Sequence, residues 1–159
     1  MADVVKQIDI VKTIIEMLKK EFDCKAYSDE SLEGFVKPCF FIKFMSTSTP
    51  QTVNFTSKHV SIVLTYFPKD SERNEVHYLD VFDRVQMLFQ IGIQVGGRYL
   101  HIDSITEERA GEEQDILQIT IELPYLDRVI RPKSTAELMG SVEVKVDMGE
   151  GKEETTWQN

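Results

Sequence analysis

The chain has 159 residues, of which 42% are hydrophobic, so it is long enough to bury one ordinary core and is not a disordered protein. Its net charge of −9 argues against a surface that wraps a nucleic acid, because such surfaces are built from lysine and arginine. No apolar run reaches about eighteen residues, and the amino-terminal segment lacks the basic start and apolar stretch of a signal peptide. We therefore expect a cytoplasmic protein that binds no membrane.

The first predicted element is a helix from about Val4 to Phe22, because apolar residues recur there at steps of three and four. The members of this stripe are Val4, Ile8, Val11, Ile15, Leu18 and Phe22. A second apolar row, formed by Ile10, Ile14 and Met17, widens the apolar surface. Two interpretations stay open: the helix lies between a sheet and another helix, or the second row contacts another subunit.

A phenylalanine-rich strand is predicted from Cys39 to Met45, because aromatic and β-branched residues alternate there. Phe40, Ile42 and Phe44 share one face of this strand. The uncharged segment 46–57 that follows is either a functional loop or a plain extension of a hairpin. The two cysteines, Cys24 and Cys39, have neither a disulfide framework nor a metal spacing, so we interpret them as small buried hydrophobes.

The remaining elements are a strand over 59–67, a second helix over 75–91 and strands around 98–105 and 116–123. Ser71 or Asn74 is predicted to cap the helix, and Gly92 to end it. Gly96 and Gly97 fit no phosphate-binding loop and are interpreted as a turn between that helix and a strand. The segment 106–115 is predicted to be a long hairpin tip.

This order of elements predicts an α+β fold, with an antiparallel sheet of about four to five strands, two helices packed on one face and an extended carboxy-terminal arm. We expect a domain over residues 1–133 and an arm over 134–159, with about the last eleven residues flexible. A lone tryptophan in such a segment often anchors a contact. The candidate contacts of the arm are Leu138, Met139 and Trp157.

Candidate chemistry is sparse along the chain. His77, Asp80 and Asp83 follow one another at steps of three on the second helix, where they could hold a divalent metal or simply form a solvated face. A run of six carboxylates extends from Asp103 to Asp115. It is interpreted as a solvated tip, a contact surface or a channel lining, and the candidate residues are Glu107, Glu108, Glu112 and Glu113. We predict no enzyme, no cofactor and no bound metal.

The combined pattern resembles the tail terminator family of phages and phage-derived particles of Gram-positive bacteria. The resemblance covers about residues 4–133 and depends on the strand "GFVKPCFFIKF" and on a strand that ends in "TYFP" before the second helix. The positions that carry it are Gly34, Phe35, Pro38, Cys39, Phe40, Phe41, Tyr66, Phe67 and Pro68. These residues form a scaffold pattern, and the family supplies no catalytic residues to transfer.

The resemblance implies a homohexameric ring that caps the head-proximal end of the tail tube, ends its polymerisation and presents a surface to the head connector. The implied partners are the tail tube protein, the connector and, in a contractile particle, the sheath, with DNA only as a passing cargo. The implied location is the host cytoplasm during assembly and then the tail. A closed ring needs two different patches on each subunit. The candidate subunit or tube interface residues are Ile10, Ile14, Met17, Thr49, Val53 and Phe55.

Three other functions stay open at this stage. The nearest is a neck or tail-completion protein of similar fold, which would bind the connector without stopping the tube. A small enzyme with a metal on His77, Asp80 and Asp83 and a monomeric ligand-binding domain are the others.

Overall fold

The computed structural model describes residues 4–28 and 34–132, together with Thr135 and Gly140. Its helices are α1 (Gln7–Phe22) and α2 (Glu75–Phe89), with a short 3₁₀ helix at Asp70–Glu72. Its strands are β1 (Lys25–Tyr27), β2 (Cys39–Pro50), β3 (Phe55–Phe67), β4 (Gly92–Val95), β5 (Arg98–His101), β6 (Ser104–Ala110) and β7 (Ile116–Arg128). All of them lie before a division of the chain after Val129. Within the described residues, no helix is long and apolar enough to span a bilayer.

The predicted α+β class is confirmed, and the sheet is mixed rather than wholly antiparallel. Five strands form it in the order β1-β2-β3-β7-β6, and β4 and β5 form a separate two-stranded sheet. Only β1 is parallel to its neighbour, with Lys25 opposite Cys39 and Tyr27 opposite Phe41. A three-residue strand is too short to reveal its direction through alternation, which is why the sequence did not indicate it.

Both helices pack on one face of the five-stranded sheet, as predicted. The sheet contributes alternate residues to this face, and partners across the register such as Leu64 and Ile119 lie side by side. The fully buried side chains of the core include Phe40, Ile62 and Leu123 from the sheet. The opposite side of the sheet, which we call the outer face, bears no helix within the described chain.

The rotation of α1 differs from the prediction. Ile10, Ile14 and Leu18 are buried in the core, whereas Ile8 of the predicted core stripe is 59% exposed and Val11 is only half-buried. Two apolar rows lie next to each other on this helix, and periodicity alone cannot decide which one faces the sheet. Contacts made at the two ends of α1 by other elements, described below, decide it.

Segment 46–57 is the extension of a hairpin, one of the two interpretations left open. β2 continues to Pro50 and β3 begins at Phe55, and the two strands pair without a break from Ser46 opposite Val60 to Pro50 opposite Thr56. The turn is closed by the Gln51 N–H, which donates to the Phe55 carbonyl at 3.0 Å. The Thr52 hydroxyl accepts a bond from the Phe55 N–H at 3.1 Å.

The region after α2 contains the largest errors of prediction. Helix α2 ends at Phe89, and Gly92 begins β4 instead of terminating the helix. A Cβ atom at position 92 would collide with the carbonyl oxygen of Leu100, so this strand pairing requires glycine. Gly96 and Gly97 turn the chain between β4 and β5, with Gly96 at φ +56°. The first half of the predicted hairpin tip, 106–110, is strand, because β6 extends to Ala110.

Candidate assembly surfaces

The residues that carry the family resemblance form packing walls on both faces of β2. Phe40 points into the core, where its ring centroid lies 4.9 Å from that of Tyr66. Phe35 folds over the outer face and lies 5.3 Å from both Phe41 and Phe67. The phenylalanine-rich stretch therefore closes one end of the sheet on both sides and does not line an open cleft.

The two cysteines pack as the sequence predicted, although Cys24 is only half-buried. Cys39 lies on the outer face with no exposed surface, whereas Cys24 packs against the helix-covered core. Burial raises the pKa of both thiols, to about 11 for Cys24, where the neighbouring Cys39 and Asp23 add to the effect. Neither thiol therefore has the lowered pKa that a reactive cysteine needs.

Asp127 is a buried junction that the sequence analysis missed. Its side chain is 2% exposed and accepts hydrogen bonds from the Val5 N–H at 3.2 Å, Lys58 Nζ at 3.0 Å, Arg98 Nη1 at 3.0 Å and the Arg128 N–H at 3.0 Å. The carboxylate thus ties the start of α1 to β3 and β5. Its position in the sequence could have revealed it, because Asp127 continues the core-facing row of β7 where an apolar residue is expected.

A second contact fixes the other end of α1. Arg84 of α2 donates to the Glu21 carboxylate at 3.2 Å and to the Glu21 carbonyl at 2.7 Å. Its guanidinium also lies 4.3 Å from the centre of the Phe22 ring. Together with the bond from Val5 to Asp127, these contacts set which side of α1 meets the sheet.

Thr49, Val53 and Phe55 are brought together at the end of the β2–β3 hairpin, and all three are exposed. The register places Thr49 opposite Ser57 and Ser57 opposite Leu126, so these residues share the outer face. Leu126, which the sequence analysis did not select, is 49% exposed and enlarges the apolar area. We call Thr49, Val53, Phe55 and Leu126 the hairpin-end surface.

The other predicted interface residues do not lie on this surface. Ile10 and Ile14 are fully buried in the protein's own core, so the prediction that they contact another subunit is wrong for these two. Met17 is partly buried against the same core. Leu138, Met139 and Trp157 lie outside the described residues.

The four acidic candidates are exposed but point in different directions. Glu107 and Glu108 are neighbours in β6 and therefore lie on opposite faces of the sheet, whereas Glu112 and Glu113 lie in the turn after it. Arg109 between them is occupied: it lies 3.9 Å from the centre of the Tyr78 ring and pairs with a glutamate of α2. The predicted single acidic tip is thus divided among three surfaces.

The row on α2 does not assemble a metal site. His77 Nε2 lies 2.9 Å from the Tyr66 hydroxyl and 3.6 Å from the Glu72 carboxylate, while Asp80 and Asp83 are exposed. Burial raises the pKa of Tyr66, so its hydroxyl stays protonated next to the imidazole. In the part of the chain that the structure describes, no group of three or more potential metal-ligating side chains comes together.

His59 and Ser61 meet Glu122 on the outer face, a cluster not anticipated from the sequence. His59 Nε2 and Ser61 Oγ each lie 2.6 Å from the same oxygen, Oε2, of Glu122. Because both groups bind the carboxylate, the serine is not placed against the imidazole as a nucleophile would be. The cluster pairs strands β3 and β7 and has no evident catalytic geometry.

Packing walls, a buried ionic junction and exposed apolar areas on a small α+β domain are typical of a structural subunit that works by contact with other proteins. A protein-family model described as phage tail terminator protein matches residues 9–137. The chain therefore belongs to the phage tail terminator family, and it is a structural component of a phage tail that interacts with other tail components. A search of curated proteins found no match.

Proposed function

We propose that this protein forms a closed homohexameric ring that caps the head-proximal end of the tail tube and ends its polymerisation. On this proposal the ring also presents the attachment surface for the connector and, in a contractile particle, for the last sheath ring. The observation that carries the proposal is the family match over residues 9–137. Among the described residues no group of three or more potential metal ligands comes together, which is compatible with it.

The hairpin-end surface is the proposed contact with the tail tube. It combines exposed apolar side chains with strands β2, β3 and β7, which hold them in register, and such a patch gains free energy when another protein covers it. The glutamates at 107, 108, 112 and 113 are the proposed acidic lining or contact, where negative charge would let DNA pass without adhering. The segment 134–159 is proposed as an arm that contacts a neighbouring component.

The proposal is tested by electron microscopy of tail tube subunits from the same genome, assembled with and without this protein. We expect tubes of limited length with a ring at one end. Unchecked tubes without added density would refute the terminator function, and binding to the connector alone would then favour a neck or tail-completion protein.

A matched pair of variants tests the tube contact. Leu126→Glu places a charge on the hairpin-end surface, whereas Val36→Glu places the same charge on a valine that is 59% exposed elsewhere. We expect Leu126→Glu to remain folded and to leave the tubes longer than the wild-type protein does, and Val36→Glu to limit them normally. Equal capping by the two variants would refute the assignment of this surface.

A further inference from the structure

The two lateral edges of the five-stranded sheet, one at β2 and the other at β6, are built alike and carry opposite charge. At one side, α1 lies beside β2, and a groove of about 310 Å³ between them is lined by Val11, Ser28, Ile42, Lys43 and Phe44. At the other side, α2 lies beside the start of β6. A groove of about 560 Å³ there is lined by Asp83, Gln86, Met87, Gln90, Ile102, Asp103, Ser104 and Ile105.

Lysines dominate the first side. Ile8, Lys12, Ile15 and Lys19 follow one another at steps of four, three and four, so they form one stripe on the flank of α1 next to Val11 of the groove. Lys12, Lys19 and Lys43 are exposed, and Lys43 reaches this side from the outer face of β2, because it alternates with Ile42 and Phe44 of the core face. We call Ile8, Lys12, Ile15, Lys19 and Lys43 the lysine edge.

Carboxylates dominate the second side. Val76, Asp80, Asp83 and Met87 form a stripe on α2 with the same spacing, and Asp103 adds a carboxylate at the start of β6. Val76 and Met87 are both 76% exposed, so the apolar members of this stripe also face solvent. We call Val76, Asp80, Asp83, Met87 and Asp103 the carboxylate edge. Among the described residues, no lysine of the first edge and no aspartate of the second forms an ion pair.

Among the described residues, both sides also present strand edges without a neighbour. Within this part of the chain, β1 pairs only with the first three residues of β2, so β2 has no neighbour on that side from Ile42 onward, and β6 pairs only with β7. Exposed strand edges are surfaces to which a second chain readily binds. The strand order places the open edges of β2 and β6 at opposite sides of the sheet, about 14 Å apart at the usual strand spacing.

We propose that the lysine edge of one copy binds the carboxylate edge of the next copy. Charge complementarity between the edges selects a second copy of this chain as the occupant, since each copy supplies the charge that the other edge lacks. Two different patches at opposite sides of a subunit make a head-to-tail contact, and such contacts close into a ring when the rotation between copies allows it. The inference rests on the proposed ring and names the surfaces that build it.

Charge reversal on each edge tests the contact. Lys12→Glu with Lys43→Glu makes both edges negative, and Asp83→Lys with Asp103→Lys makes both positive. We expect each double variant to self-associate at least about tenfold more weakly than the wild-type chain in sedimentation velocity. Lys69→Glu with Glu113→Lys is the matched control, because both residues are exposed and belong to neither edge.

Recovery is the decisive part of the experiment. An equimolar mixture of the two double variants again opposes unlike charges at every contact, and so does the chain that carries all four substitutions. Both are expected to regain wild-type association, and the association of the wild-type chain should weaken as salt rises from about 0.05 M to about 0.5 M. Failure of both recoveries, or double variants that associate like the wild type, would overturn the inference.

The same samples separate this inference from the proposed function when they are also added to growing tail tubes. If the wild-type chain associates through its edges but leaves tube length unchanged, the terminator function is refuted and the edge contact is kept. Normal capping by both double variants would refute the edge contact and keep the terminator function. A wild-type chain that stays monomeric both alone and on tubes would overturn the edge contact.

Discussion

Replacement of Asp127 by asparagine is predicted to be strongly destabilising although the two side chains have nearly the same shape. The aspartate is 2% exposed and faces two cationic side chains, Lys58 Nζ and Arg98 Nη1, each at 3.0 Å. The Val5 and Arg128 N–H groups bond different oxygens of Asp127, so asparagine keeps an acceptor for only one of them. It also supplies no charge, so two cations lose their counter-ion at once.

The magnitude follows from the burial of the three groups. Removal of one partner from a fully buried ion pair costs about 3–5 kcal/mol. The Lys58 and Arg98 side chains keep 23% and 27% exposure, so water recovers part of this loss and the expected cost lies near the lower bound, about 3 kcal/mol. At about 2–4 °C per kcal/mol for a domain of this size, the unfolding midpoint should fall by roughly 6–12 °C.

Urea unfolding followed by far-ultraviolet circular dichroism measures this cost directly. Asp80→Asn is the matched control, since Asp80 is exposed and has no ion pair among the described residues; it should change the free energy of unfolding by less than about 0.5 kcal/mol. The slope of the free energy of unfolding against urea concentration should be the same for both variants and the wild type. A loss for Asp127→Asn no larger than that of the control would show that the junction contributes nothing, and the reasoning would fail.

Two further predictions concern single side chains. Asn74→Ala should cost about 1 kcal/mol in urea unfolding, because the Asn74 side chain accepts the His77 N–H at 2.9 Å, whereas Ser71→Ala should cost nothing; equal effects would contradict the capping assignment. Because burial raises the pKa of Cys24 to about 11, only about one thiol in a thousand is ionised at pH 8, and its alkylation should speed up about tenfold per pH unit below that pKa. Mass spectrometry of the folded chain checks this, and alkylation at the rate of a free cysteine would contradict it.

The parts of the fold that could be predicted from the sequence are those with one unambiguous pattern. Helix α2 has a single apolar stripe between a capping asparagine and a turn, and its predicted start at Glu75 is confirmed. Strands β3 and β7 alternate without interruption, and the strands predicted over 59–67 and 116–123 are confirmed within them. The rotation of α1 failed for the opposite reason, because two apolar rows lie next to each other.

The parts that failed depend on distant contacts or on very short segments. The donors to Asp127 stand 29, 69 and 122 residues away along the chain, apart from its own neighbour Arg128, and no local pattern relates them. β1 and β4 have three and four residues, which is too few for a periodicity to appear. Of the predicted interface residues, Thr49, Val53 and Phe55 were found at the hairpin end because the uncharged composition of their segment is a local property.

The alternation of the central strands also separates two evolutionary constraints. On β3 and β7 every residue that fills the core is followed by one, such as Ser61, Thr120 or Gln118, that points to the outer face and leaves the core untouched. Substitutions there change what a docking protein meets without opening a cavity beneath it. Substitutions of single outward-facing residues can therefore adapt this surface to a partner whose sequence changes, while the interior sequence stays constrained by packing.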